Sequence, residues 1–270
     1  MNHVIRALRV RHQLKLRLVQ VASVEQVTPR MRRMTFAGDE LADFTSVAAD
    51  DHVKLFFPAP GQDRPVLPNL ADNQRAYPAG AIQPAIRDYT PRRFDTRQCT
   101  LVVEFVIHGS GPASTWAAQA KPGQWIGVGG PRGSVLAPDD EDTTLLMGDE
   151  TALPAIARRL EEMRPGAGAV VLIEVADAGE ERHLPTAANA AIHWLHRDRR
   201  AAGTTTLLEQ ALKRLVLPDG DTHAWLAAEI ATARRLRRHL IEEKGLPRDR
   251  IRAAGYWRLG DAGTEAKLDD

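Results

Sequence analysis

The chain has 270 residues, with 36 Lys and Arg against 35 Asp and Glu, a balance that argues against both a nucleic-acid coat and a strongly acidic surface. Its one cysteine, Cys99, excludes an intramolecular disulfide framework and any zinc or iron–sulfur site built from this chain's cysteines alone, and it fits a cytoplasmic setting. The length allows a large core and is expected to divide into two domains of ordinary size.

Among the first residues, Arg6, Arg9, Arg11, Lys15 and Arg17 interrupt every apolar stretch, so no signal peptide is read. No later run approaches the about 20 apolar residues of a membrane-spanning helix, and no membrane partner is expected. Short β-branched runs follow at 16–21, 31–36, 52–57 and 100–107, several alternating with period two, and each is predicted to be a strand. Turn residues such as Gly38-Asp39 and Lys121-Pro122-Gly123 separate them, which is the texture of an antiparallel barrel. The Pro-, Gly- and Asn-bearing stretch 58–84 is long for a connection, and its conformation is left open.

An acidic, Pro-containing segment at 136–142 marks the boundary, giving domains 1–138 and 139–270. Beyond it the pattern changes. Apolar runs at 143–148, 169–175, 192–195 and 224–228 read as buried strands, and helices are predicted over 153–163, 205–215 and 231–244. Strands alternating with helices imply a parallel sheet.

Six groups of residues carry chemistry on this frame. Arg87-Asp88-Tyr89-Thr90 sets a cation, an aromatic ring and a hydroxyl side by side before a strand. His108-Gly109-Ser110-Gly111-Pro112-Ala113-Ser114-Thr115 leads from a strand into small residues at a helix start, where backbone N–H groups bind anions; as a purely structural element, Ser114 would be an N-cap. Gly129-Gly130-Pro131-Arg132-Gly133-Ser134 is a glycine turn with one cation. Gly148-Asp149-Glu150-Thr151 sits at a strand-to-helix switch, the place where open α/β sheets bind nucleotides; its carboxylates suit a helix dipole and would repel a phosphate. Glu229 closes the strand at 224–228, ahead of an arginine cluster read as the solvated face of an amphipathic helix. Gly255-Tyr256-Trp257-Arg258 lies near the C-terminus.

In the order and type of these motifs, from Leu16 to Gly260, the chain resembles the siderophore-interacting protein family of ferredoxin-reductase-like flavoproteins. The family has Arg-x-Tyr-Thr/Ser at the first motif, Gly-Asp-Glu-Thr-Ala-x-Pro at the fourth and Gly-Tyr-Trp-Arg at the last; Ala228 departs from its Gly-Glu pair. The resemblance implies a Greek-key FAD-binding barrel followed by a nicotinamide-dinucleotide domain of parallel β and α elements. It places Tyr89, Thr90 and Trp257 at the reacting flavin, and Arg87, Asp88, His108, Ala113, Ser114 and Thr115 on FAD. Gly148, Asp149, Glu150, Thr151 and Glu229 then serve the cofactors, with either NADH or NADPH as donor. Lys54, Arg132 and Arg258 are expected to receive an anionic ferric siderophore. A ferredoxin is the alternative electron partner, and a non-catalytic nucleic-acid module carried by the arginine-rich helix is the reading from another class.

Overall fold

The computed structural model describes residues 8–71, 74–109, 111–136 and 141–261. The chain forms two compact units, one spanning Arg9–Leu136 and the other holding residues 141–261. The predicted boundary at 138/139 lies outside the described residues.

The first unit is built from β1 (Leu8–Arg11), β2 (Leu16–Thr28), β3 (Met31–Ala37), β4 (Val53–Phe57), β5 (Asn69–Ala71), β6 (Gln74–Ala76), β7 (Ala85–Tyr89), β8 (Arg93–Asp95), β9 (Thr100–Val106), α1 (Pro112–Gln119), β10 (Trp125–Gly129) and β11 (Gly133–Leu136). Seven of these strands form one antiparallel sheet in the order β7-β4-β10-β2-β3-β9-β8. The edge strands β7 and β8 are joined by only three residues, 90–92, which reach about 15 Å at most. The two edges are therefore held near each other and the sheet curls into a barrel. Alternation places Val19, Val21, Met34, Phe36, Leu55, Phe57, Val103 and Phe105 inside, and Trp116 and Ala117 of α1 join the same core. Each large side chain buried there is worth roughly 1.5–3 kcal/mol.

The open stretch 58–84 contains the β5–β6 ribbon and leads directly into β7, so Arg87, Asp88 and Tyr89 lie on a strand, with Thr90 in the connection to β8. Earlier in the stretch, Leu67 is seated on β10 where Gly127 leaves room. A Cβ at Gly127 would lie 2.3 Å from Leu67 Cδ2 and 3.0 Å from Phe56 Cβ.

The second unit comprises β12 (Thr143–Asp149), α2 (Leu153–Glu162), β13 (Gly168–Val175), β14 (Asn189–His196), α3 (Leu207–Arg214), β15 (Thr222–Glu229), α4 (Ile230–Glu242) and β16 (Ile251–Trp257). Its five strands are all parallel, in the order β14-β13-β12-β15-β16. β12 and β15 are buried at every position, which is why they read as continuous apolar runs. On α4, Ala233, Leu236 and Leu240 face the core while Arg234, Arg235 and Arg238 are exposed, as the amphipathic reading expects. Strand order reverses between β12 and β15, so their carboxyl ends flank a topological switch point. Among the described residues no helix is long and apolar enough to cross a membrane.

Candidate functional site

In the barrel unit, period two along β7 puts Arg87 and Tyr89 on one face and Asp88 on the other. The Tyr89 ring packs against Phe105, with centroids 4.5 Å apart, and edge-on to Phe57 at 6.3 Å. Burial pushes its phenol well above the ordinary tyrosine range, so it stays a neutral donor at all working pH values. Thr90 follows, buried in the connection to β8. Arg87 donates from Nη1 to the Ile86 carbonyl at 2.7 Å.

Asp88 stands opposite Lys54 in the β4–β7 register, and Lys54 Nζ reaches its two oxygens at 2.9 and 3.2 Å. A residue expected at FAD and one expected at the substrate are thus partners in a single cross-strand ion pair. Lys54 also pairs in register with Gly129, which places the turn leading to the exposed Arg132 at the same end of the sheet. Arg258 belongs to the other unit.

Helix α1 starts with Pro at its first position and Gly111 as N-cap, at φ 83°, without a side-chain cap. Ser114 is therefore not the cap. It lies within the first turn, buried, and its Oγ accepts the His108 backbone N–H at 3.0 Å. The first intrahelical bond runs from Thr115 N–H to the Gly111 carbonyl, so the N–H groups of Ala113 and Ser114 have no intrahelical acceptor. Thr115 is exposed beside them. An uncapped start with no Cβ at its entry fits an anion such as a dinucleotide pyrophosphate. Between this helix and the 58–64 segment lies a cavity of about 790 Å³.

In the second unit, three sequence motifs far apart along the chain meet at the carboxyl ends of β12, β15 and β16. Asp149, buried, accepts four hydrogen bonds. Oδ1 takes Thr151 N–H at 2.9 Å and Thr151 Oγ1–H at 2.5 Å, and Oδ2 takes Glu229 N–H at 3.2 Å and the Trp257 indole N–H at 2.8 Å. Burial and the neighbouring Glu150 raise its pKa to about 6 despite those donors. Glu229 caps α4, its Oε2 accepting from Ala231 N–H at 2.7 Å and Thr232 N–H at 3.0 Å. Glu150 accepts a bidentate pair from buried Arg197, at 2.5 and 2.6 Å. Arg197 also lies 3.6 Å from Glu174, a carboxyl shifted upward by burial. Neither Asp149 nor Glu150 caps α2, whose N-cap is Ala152. The dipole role expected of them is replaced by these longer-range bonds. Gly203 closes against Trp257 and Glu229; a Cβ there would lie 2.8 Å from the indole.

Arg197, 47 residues from Glu150, gave no local signal in the sequence. The same holds for a polar chain in the barrel, where Ser134 Oγ donates to Asp51 at 2.6 Å and meets His12 Nε2 at 2.8 Å. With its proton given to Asp51, that serine is a brace for the glycine turn and not an activated nucleophile.

Both halves of this architecture match one family. Residues 20–135 fit the siderophore-interacting FAD-binding domain and residues 141–260 the siderophore-interacting protein domain. The chain belongs to the siderophore-interacting protein family. It is 35% identical over 254 residues to the NADPH-dependent ferric-chelate reductase of Escherichia coli, covering 92% of this chain and 95% of that one. It is 30% identical to the ferric vibriobactin reductase ViuB of Vibrio cholerae, covering 90% of each. Among solved structures, a siderophore utilization protein from T. fusca superposes with a TM-score of 0.89 at 42% identity, covering 96% of this chain and 99% of that one. A ferredoxin reductase of carbazole 1,9a-dioxygenase shares the fold alone, with a TM-score of 0.65 at 14% identity over 91% of this chain and 68% of that one.

Proposed function

We propose that this family member is an FAD-dependent reductase that takes hydride from NADPH or NADH and reduces the Fe(III) of a siderophore, releasing Fe(II) in the cytoplasm. The observation carrying the reading is that one barrel offers the uncapped start of α1 together with the Tyr89-Thr90 edge. The named reductases among its relatives support the same chemistry. The flavin, when bound, couples a two-electron donor to a one-electron acceptor. One dinucleotide thereby serves two ferric centres.

The protein's own groups do the rest. Ala113 and Ser114 N–H hold the pyrophosphate at the start of α1, and Arg87 neutralises it. Thr115 and His108 flank it. Tyr89 supplies a neutral ring for the flavin face, and Thr90 a hydroxyl beside it. In the second unit the end of the parallel sheet, Gly148 to Thr151 with Glu229 and Trp257, receives the nicotinamide dinucleotide. Because Asp149, Glu150 and Glu229 are already bonded within the protein, they act by shaping that surface rather than by meeting phosphate. In the barrel, Arg132 with the Lys54–Asp88 pair is the group for an anionic chelate, and in the second unit Arg258 is the corresponding cation. Hard Fe(III) is held by oxygen ligands that bind Fe(II) far more weakly, so reduction frees the metal.

The test is direct. The purified full chain should show a flavin spectrum that NADPH or NADH bleaches under anaerobic conditions. A colourless protein that takes up no added FAD would refute the reading.

A further inference from the structure

Arg197 lies behind the surface formed by the strand ends of the second unit, and the fold fixes it from several directions. Its N–H donates to the Val175 carbonyl and that of Asp198 to the Ala176 carbonyl, both at 3.0 Å, which carries the β13–β14 pairing past the end of β14. Asp198 and Arg199 then turn in the left-handed region, at φ 42° and 55°, a costly conformation for residues with side chains and one that clusters at functional sites. The Arg200 side chain folds back, its Nε–H donating to the Arg197 carbonyl at 2.9 Å.

Three carboxyls surround the guanidinium held there. Glu150 accepts from both terminal nitrogens at 2.5 and 2.6 Å, Glu174 lies 3.6 Å from Nη1, and Asp149 repels both acids through space. Arg197 and Glu174 are shut away, with 3% and 5% of their side chains exposed, whereas Glu150 reaches the surface at 14%. Among the described residues Arg197 is the only cation that any of the three touches. The crowding of like charge is visible in the acids: burial raises Asp149 to about 6, with Glu150 adding to the shift, and burial also raises Glu174, with Asp149 and Glu150 adding to it. Stability is a poor reason to build such a network. Desolvation offsets most of the attraction gained, and the Arg197 Nε–H is left buried with no acceptor among the described residues.

A nicotinamide dinucleotide is a polyanion, so a sheet end carrying three carboxyls repels it unless that charge is balanced. We infer that Arg197 is a positioning residue for the hydride donor: acting through Glu150, it cancels enough negative charge at the carboxyl ends of β12 and β13 for the dinucleotide phosphates to approach, without touching them itself. The inference rests on the proposed donor site and goes beyond it, because it makes donor affinity depend on a residue held behind the binding surface. It also ranks the two donors. NADPH carries one phosphate more than NADH, so its binding is the more sensitive to the balance of charge.

The experiment is anaerobic stopped-flow reduction of the full chain with bound FAD, which gives a half-saturating concentration and a limiting rate for each donor. It compares the parent with Arg197→Gln, Arg197→Lys and the double variant Arg197→Gln/Glu150→Gln. Arg197→Gln should raise the half-saturating NADPH concentration about tenfold, and that of NADH less, with limiting rates within about twofold and a gap that narrows as salt rises. Arg197→Lys keeps the charge, and the double variant removes one acid together with the base. Both should therefore stay within about threefold of the parent for either donor. A rise equal for NADPH and NADH, unmoved by salt and not recovered in the double variant, is what a packing defect gives and would overturn the inference. A parent-like Arg197→Gln would overturn it too. Should Arg197→Gln fail to fold, the other two variants decide, since NADPH binding about tenfold weaker than the parent's in both would contradict the charge account. A parent whose flavin is reduced by neither dinucleotide would refute the donor reading itself, and the inference with it.

Discussion

The two units hold their candidate residues in opposite ways. In the barrel, the fold leaves two features open, the start of α1 without a side-chain cap and the Gln62 amide oxygen without a partner among the described residues; Tyr89 is held by ring packing, and Asp88 and Ser114 are bonded to Lys54 and the His108 N–H. In the parallel-sheet unit, every notable carboxylate is already engaged. Asp149 holds four donors, Glu229 caps α4 and Glu150 grips Arg197. Motif residues of the same family thus do different work. Under the proposed function, the open start of α1 receives a ligand directly, whereas the sheet's carboxylates assemble the surface on which one lands.

The sharpest way to break this contrast is Asp149→Ala. It strands the buried Glu229 N–H and the partly buried Trp257 indole N–H, and losing a buried partner costs about 1–3 kcal/mol. We expect a loss of roughly 3 kcal/mol in denaturant midpoint analysis with FAD affinity nearly unchanged. An intact midpoint would show that the cluster is not what holds the three strand ends together.

Next in size is Arg87→Ala in the barrel, where the opposite outcome is expected. Removing a charge-assisted phosphate contact worth about 1.5–3 kcal/mol should weaken FAD ten- to hundredfold. Stability without FAD should change little. Unchanged FAD affinity would remove Arg87 from the site.

The pH response separates the units again. The folded-state pKa of Asp149, about 6, lies above its ordinary value of 3.8, so the folded state binds a proton before the unfolded state does. Its contribution to stability is therefore fully present below about pH 4 and is lost as pH rises through about 6. Asp149→Asn should flatten this segment of the stability profile. An identical profile in parent and variant would assign the titration elsewhere.

The smallest effect is expected for Lys54→Ala. Its pair with Asp88 is partly exposed, with side-chain exposures of 18% and 37%, and such pairs contribute about 0–1 kcal/mol. The variant should keep its stability yet lower the rate with an anionic ferric chelate at low salt, and the difference should vanish as salt rises. A rate unchanged at all salt concentrations would leave Lys54 as a purely structural partner of Asp88.

How much of this was legible in the sequence follows from the range of the interactions. The long strands β2, β3, β4 and β9, the parallel strands and the amphipathic α4 announce themselves through local periodicity, and they appear where expected. Short strands such as β6, β8 and β11 carry too few residues for a period to show. The motifs at Asp149, Glu229 and Trp257 were visible one by one, but their bonding to one another depends on strand order. Arg197 and the stacking of Arg64 on Trp125 were invisible for the same reason, since each joins segments separated by dozens of residues. Conversely, pairing Lys54 with Asp88 needed the register of β4 against β7, which no composition rule supplies.

The measurement that tests the central claim most directly is anaerobic stopped-flow mixing of the NADPH-reduced protein with ferric siderophores, with Fe(II) trapped by a coloured chelator. We expect flavin reoxidation at a rate that rises with chelate concentration, and two Fe(II) formed for each NADPH consumed. A reduced flavin that persists in the presence of every ferric chelate, yet is reoxidised promptly by an oxidised ferredoxin, would contradict the account.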